Sequence, residues 1–358
     1  MDSFYKYLDF SLQNISSGII SSENKKVLLK LGSVLPDTFA HFVFGYEKRL
    51  SDTDAKADIA ISALNNLKSQ YNFSSIFNYP PIAEIISSSP EWQRLKSFSK
   101  AWSEPDSEIH RLLEGISVEF DFESLLEDNF VPSVFLGMES MRFLRNPENK
   151  NQLFERLGVF ISGIEILSGN SANPETGQYL TGLGEKLFNK FSVFQTGVML
   201  SRKETPIRIC LKRFEYDQLP EILDKVIQKK DRIAELREIM TKYGKYFDHF
   251  VLALDLAGSE IVKTGIECYY SDKIQPSKER RWHDVLELLT DNGDCTRSMT
   301  DEILRFPGKF MWKGKKEFEG SENIPNFYAQ GLHHLKFTAG ADKNTFAKIY
   351  LWSGYNWN

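Results

Sequence analysis

Five times along the chain, apolar and polar residues alternate in a pair of short runs joined by a turn, a period of two that marks half-buried strands. In the first pair Phe42, Phe44 and Tyr46 alternate with Val43, Gly45 and Glu47, and after a Ser-Asp-Thr-Asp turn Ile59 and Ile61 alternate with Asp58, Ala60 and Ser62. The second sets Val118, Phe120 and Phe122 against Glu119 and Asp121, with 131–138 as its partner and Pro132 at an edge or strand start. The third places Ile207, Ile209 and Leu211 opposite Arg208, Cys210 and Lys212. In the fourth, Thr264, Ile266 and Cys268 oppose Lys263, Gly265, Glu267 and Tyr269, after an Ala-Gly-Ser tip. In the last, Leu335 and Phe337 oppose His334, Lys336 and Thr338, while Ala347, Ile349 and Leu351 oppose Lys348, Tyr350 and Trp352.

Helical blocks separate these pairs. Residues 1–35 read as helical turns ended by Pro36. Ser89-Pro90 is a capped helix start, and Trp92, Leu95, Phe98 and Trp102 follow near one face. Further helical stretches cover 139–192, 217–243, 279–289 and 299–306, and a loop of Gly, Lys, Asn and Pro leads into the last hairpin. No Pro- or Ser-rich linker divides the chain, so residues 1–358 read as one domain. Ten antiparallel strands with helices on one side close into a barrel, which removes exposed sheet edges. The predicted class is α+β: a ten-stranded antiparallel barrel of five αββα repeats with an outer ring of helices. The helices take the oily face, and the other face lines a lumen.

Composition narrows the function. The 358 residues are 41% hydrophobic and 26% charged, with a net charge of −5, which argues against a dedicated nucleic-acid partner. The N-terminal segment lacks a signal-peptide pattern and no apolar run spans a membrane, so the expectation is a cytoplasmic protein with no membrane partner. Cys210, Cys268 and Cys295 are widely spaced and read as core thiols. There is no P-loop, HExxH, GxSxG, paired CxxC or aspartate-rich DDxxD motif. His333 and His334 are adjacent on a strand, so they are expected on opposite sides of it, unable to share a metal.

The repeated helix–strand–strand–helix layout resembles the αββα prenyltransferase barrel, whose members include dimethylallyltryptophan synthases and enzymes that prenylate peptides or phenolic aromatics. The basic alternation Arg208-x-Cys210-x-Lys212, in which Cys210 departs from the pattern, the Lys348-Ile-Tyr350 pair and, loosely, Lys263 with Tyr269 resemble the family's patterns, and Glu47 resembles its carboxylate on the first strand. Asp58 departs, standing where tryptophan prenyltransferases carry arginine, as do Ser133 and Phe135, where a Lys-x-Tyr pair is expected. The resemblance implies transfer of an isoprenoid from an allylic diphosphate, dimethylallyl or geranyl, to a small aromatic or peptide acceptor in natural-product tailoring. It implies no required cofactor and no resident metal, with Mg2+ left open.

The candidate diphosphate ligands are Arg208, Lys212, Lys263, Lys336 and Lys348, since a multiply charged anion needs focused cations to bind and to leave. Tyr269, Tyr350 and Trp352 are candidates to shield an allyl cation with their π faces. Glu47, Glu119 and Asp121 are the candidate catalytic carboxylates, as general base, as a metal–diphosphate bridge or as partners of a cationic substrate. Glu119 and Asp121 are expected to project into one space, where like charges need a cation between them. Two other functions fit the pattern: a non-catalytic peptide-binding protein, and a barrel enzyme acting on an arginine-like substrate.

Overall fold

Two-residue alternation closes the sheet on itself. The computed structural model describes residues 4–36, 39, 43–64, 73–137, 149–169, 174–188, 192–202, 206–271, 274–311, 327–339 and 346–355. Its strands are β1 (Val43–Arg49), β2 (Asp58–Leu64), β3 (Gly115–Phe120), β4 (Ser133–Gly137), β5 (Ser192–Val198), β6 (Ile207–Phe214), β7 (His249–Ala257), β8 (Glu260–Tyr269), β9 (Gly308–Met311), β10 (Phe327–Ala339) and β11 (Phe346–Tyr355). Each pairs antiparallel with the next around the sheet, and β11 returns to β1 with Phe44 opposite Ser353 and Arg49 opposite Lys348. The result is a closed ten-stranded barrel with one added strand. The addition is β9, which lies in the stretch expected to be loop. It pairs Gly308–Met311 with the start of β10, beyond the part of β10 that β8 covers.

The outer face is apolar because helices cover it. Helix α1 (Phe4–Gln13) buries Phe4, Tyr7 and Leu8, and its Ser11 hydroxyl bonds Tyr46 on β1 (2.6 Å) and Ser353 on β11 (3.0 Å), tying it across the closing seam. Helix α2 (Pro90–Ser103) starts as expected: the Ser89 hydroxyl accepts from the Trp92 amide, and Pro90 fills the first turn. Helix α3 (Lys150–Ser168) ends in a left-handed Gly169 (φ 75°). It lies so close to β4 that a Cβ on Gly163 would sit 2.5 Å from Leu136 Cδ1. These elements share one continuous core, whereas Cys210, Val251 and Ala253 form a separate small cluster with Tyr269 on the inner face.

The lumen is lopsided in bulk as well as in charge. On β1–β5 its lining includes Gly45, Ala60, Ser62, Ser117, Gly137 and Gly197, with the Phe135 ring filling the space over Gly197, and on β8, β10 and β11 it carries Lys263, Glu267, Tyr269, His334, Lys336, Lys348, Tyr350 and Trp352.

Lys48 points the other way, to the helix-covered face, and is fully buried. Its ammonium donates to the Asp54 carbonyl (2.7 Å), holding the β1–β2 turn against the barrel, and burial lowers its pKa. Lys48→Met keeps the side-chain volume but strands that carbonyl. It is expected to cost about 1–3 kcal/mol, read as a lower midpoint in urea unfolding; an unchanged midpoint would show that the turn does not need the ammonium.

Candidate active site

Strand register brings opposite charges face to face in the second half of the lumen. Arg208 on β6 sits opposite Asp255 on β7 and grips it with two hydrogen bonds, Nε to Oδ1 at 2.6 Å and Nη2 to Oδ2 at 3.0 Å. Lys263 faces the same aspartate from β8. Lys336 on β10 sits opposite Glu267 on β8 and donates to it at 2.9 Å, while the Tyr269 hydroxyl donates to the other oxygen at 2.7 Å. Lys348 and Tyr350 on β11 both donate to Glu47 on β1.

These pairings set the ionisation of each group. Burial opposes charging Glu267, but Lys336, His334 and the Lys336 and Tyr269 hydrogen bonds outweigh it and hold the group down to about 2. Asp255 is likewise opposed by burial and pulled well below the carboxylate range by Arg208. Burial lowers Lys348 to about 8, and it lowers Lys263 against the pull of Asp255. A narrow gap of about 10 Å³, room for a single water, lies among Arg208, Asp255, Lys263, Gly265, Lys336 and Thr338.

Beside this gap four rings stack across four neighbouring strands. His249 on β7 stacks on Tyr269 (centroids 5.3 Å apart, 7° between planes), Tyr269 on His334 (4.5 Å, 22°) and His334 on Tyr350 (4.1 Å, 13°). The stack exists because β10 has a bulge between Leu332 and His334. The same bulge corrects the expectation for the adjacent histidines: their Nδ1 atoms meet at 2.6 Å instead of pointing to opposite sides. Trp352 makes no ring contact among the described residues. Its indole instead fills the space over Gly331, where a Cβ would lie 2.9 Å from Nε1.

The first half of the lumen gathers carboxylates. Asp58 sits opposite Glu47, and Glu119 lies on β3 beside Ala60, the luminal residue two on from Asp58. Asp121 is not on the strand as alternation suggested; it stands just before a short helix, Phe122–Leu126, directly after β3, and its side chain makes no capping bond to that helix. It still reaches the same space, and single oxygens of Asp58, Glu119 and Asp121 lie within 4.8 Å of one another. Asp58 accepts from the Phe122 amide (2.8 Å); Asp121 accepts from the Ser201 hydroxyl (2.6 Å) and from Arg202 (3.3 Å). Glu119 has no hydrogen-bond or ion-pair partner among the described residues. Burial raises Glu47, Asp58 and Glu119 each to about 7; Asp58 adds to the rise of Glu47, Glu119 to that of Asp58, and Glu47 to that of Glu119.

Every expected site residue with a described side chain thus belongs to the luminal lining; the Lys212 side chain lies outside the described residues. Asp58, Arg202, Asp255, His249 and His334 join the site unassigned. The period of Leu252, Leu254 and Leu256 places Asp255 inward, a signal present in the sequence. Arg202 comes from the β5–β6 turn, where alternation says nothing.

The raised carboxylates bind more protons folded than unfolded between about pH 4.5 and 7, so they stabilise the fold less as pH rises through that window. The melting temperature is expected to fall from pH 5 to pH 8. Glu119→Gln should flatten that slope and stabilise the protein at pH 8 by about 1–3 kcal/mol. A Glu119→Gln protein with the wild-type slope would show that the trio is not strained.

No family model matches the sequence, and no curated protein matches it. Solved structures do. AnaPT from Neosartorya fischeri, an αββα-barrel prenyltransferase, superposes with a TM-score of 0.57 at 12% identity, over 96% of this chain and 90% of its own. NotF in complex with brevianamide F and DMSPP matches over 96% of this chain and 91% of its own, at 8% identity and a TM-score of 0.48. The chain has the αββα barrel fold of the prenyltransferases.

Proposed function

We propose that the protein is a transferase that moves an isoprenoid group from an allylic diphosphate, dimethylallyl or geranyl, to an aromatic or peptide acceptor held in the barrel lumen. The observation that carries this reading is the convergence of Arg208, Lys263 and Lys336 on one narrow gap, beside the His249–Tyr269–His334–Tyr350 stack. A diphosphate is larger than this gap and enters as Asp255 and Glu267 give way, gaining a guanidinium that can bond two oxygens and ammonium groups as point charges. The allylic C–O bond breaks heterolytically, its electrons leaving with the diphosphate, whose growing charge those cations stabilise. The allyl cation lies at the end of the stack, away from water: both faces of Tyr269 are covered by His249 and His334, so Tyr350 is the phenol left to offer a face. A bond then forms from the acceptor's electron pair, and the proton the acceptor loses passes to Glu47, whose pKa of about 7 suits a base at neutral pH.

This route requires no cofactor. For Mg2+, the oxygen donors in reach of one another are Asp58, Glu119 and Asp121, on the wall away from the cations proposed for the diphosphate. No described helix is long and apolar enough to cross a membrane. The buried free thiols Cys210, Cys268 and Cys295 fit a cytoplasmic setting.

One observation favours a non-catalytic alternative. Arg208, Lys336 and Lys348 each already hold a carboxylate, so an incoming diphosphate must share or displace Asp255, Glu267 or Glu47.

Titration calorimetry with dimethylallyl and geranyl thiodiphosphate, which resist ionisation, separates the two readings. Binding of one analogue is expected; binding of neither sinks the transferase. The affinity should fall as pH rises from about 6 to 9, because Glu47 gains charge near 7 and Lys348 loses it near 8. Arg208→Gln should weaken binding by about tenfold or more, the worth of a charge-assisted pair of bonds. Lys348→Glu should abolish turnover.

A further inference from the structure

The acidic half of the lumen has properties the donor does not use. Glu119 is 6% exposed, yet among the described residues nothing bonds its carboxylate, which lies with Asp58 and Asp121 in one group. Burial disfavours the charged form of this carboxylate, a cost that either a proton or an arriving positive group relieves. The luminal neighbours on the adjoining strands carry small side chains, Gly45, Ala60, Ser62 and Ser117, with Ser62 and Ser117 bonded to each other at 2.6 Å. The group already accepts hydrogen bonds from the Ser201 hydroxyl and the Arg202 guanidinium on Asp121 and from the Phe122 amide on Asp58, so one of its present partners is an organic cation. Arg202 also places a fixed positive charge beside the trio, which disfavours a divalent metal ion more than it disfavours another hydrogen-bonding cation.

We propose that Asp58, Glu119 and Asp121 form a subsite for a positively charged organic group of the acceptor, an ammonium or guanidinium. The inference rests on the transferase reading for the word acceptor, but the subsite itself does not depend on the donor. The cation serves as a handle and not as the nucleophile. It is held against β2 and β3 while the diphosphate is held by β6, β8 and β10, so the two substrates are sorted by charge to opposite walls. Specificity then comes from the desolvated carboxylates, which a neutral acceptor leaves unpaired. A peptide with a basic side chain or a free N-terminus near its reacting residue has the required chemistry.

The test compares two probes of the same shape on the wild-type protein by calorimetry: Nα-acetylarginine methylamide and its citrulline counterpart, in which a neutral urea replaces the guanidinium. The arginine compound is expected to bind at least about tenfold more tightly. Glu119→Gln should erase that preference while leaving dimethylallyl thiodiphosphate bound as tightly or more so, since a luminal negative charge is gone. Equal affinity for the two probes overturns the subsite, and needs no variant to establish. Displacement of the arginine compound by MgCl2 alone, at matched ionic strength, also overturns it, in favour of a metal site. Preference for the arginine compound without any thiodiphosphate binding upholds the subsite and removes the transferase reading. Thiodiphosphate binding without the preference does the reverse.

Discussion

Charge on the inside of a closed barrel has to be answered from within the barrel. Closing β11 onto β1 removes the sheet edges, and the helices outside take the apolar faces, so the remaining side chains of every strand meet in one enclosed space. Taking charges out of water costs several kcal/mol per ion unless geometry repays it. In the second half of the lumen it does: Arg208 has Asp255, Lys336 has Glu267 and Lys348 has Glu47. The pairs follow from register, since Arg208 with Asp255 and Lys336 with Glu267 are direct cross-strand neighbours.

Where this matching fails, the protein has chemistry to spare. Burial, and then their closeness to one another, raises Glu47, Asp58 and Glu119 each to about 7. Glu47 lies at the boundary of the two halves. It touches Lys348 and Tyr350 on one side and faces Asp58 on the other. That position links the basic wall to the acidic one through a single carboxylate. The contrast in bulk runs the same way, with small side chains on the acidic wall and rings and long cations on the basic one.

The ring stack shows how a local irregularity serves the site. A regular β10 would send His333 and His334 to opposite faces. The bulge instead lets His334 slot between Tyr269 and Tyr350 while His333 stays in contact with it. Both phenols are also anchored by carboxylates, Tyr269 to Glu267 and Tyr350 to Glu47, so the planes are held by hydrogen bonds as well as by packing.

By itself the sequence determined the barrel and the side of each strand that faces its lumen. Alternation is a local property, and Ile207, Ile209 and Leu211 dictate where Arg208 goes whatever its neighbours are. The luminal place of Glu47, Glu119, Lys263, Lys336 and Lys348 follows from the same rule, as does the surplus of acid in the first half. Tertiary structure alone decided which charges meet, because partnership depends on the register between strands up to hundreds of residues apart, as for Glu47 with Lys348. It also decided the features that break the period: the bulge that assembles the stack, the helix start that carries Asp121 off its strand, the turn that delivers Arg202 and the short strand β9. Each depends on contacts with distant residues or on a departure from regular backbone, and neither leaves a mark in a period-two pattern.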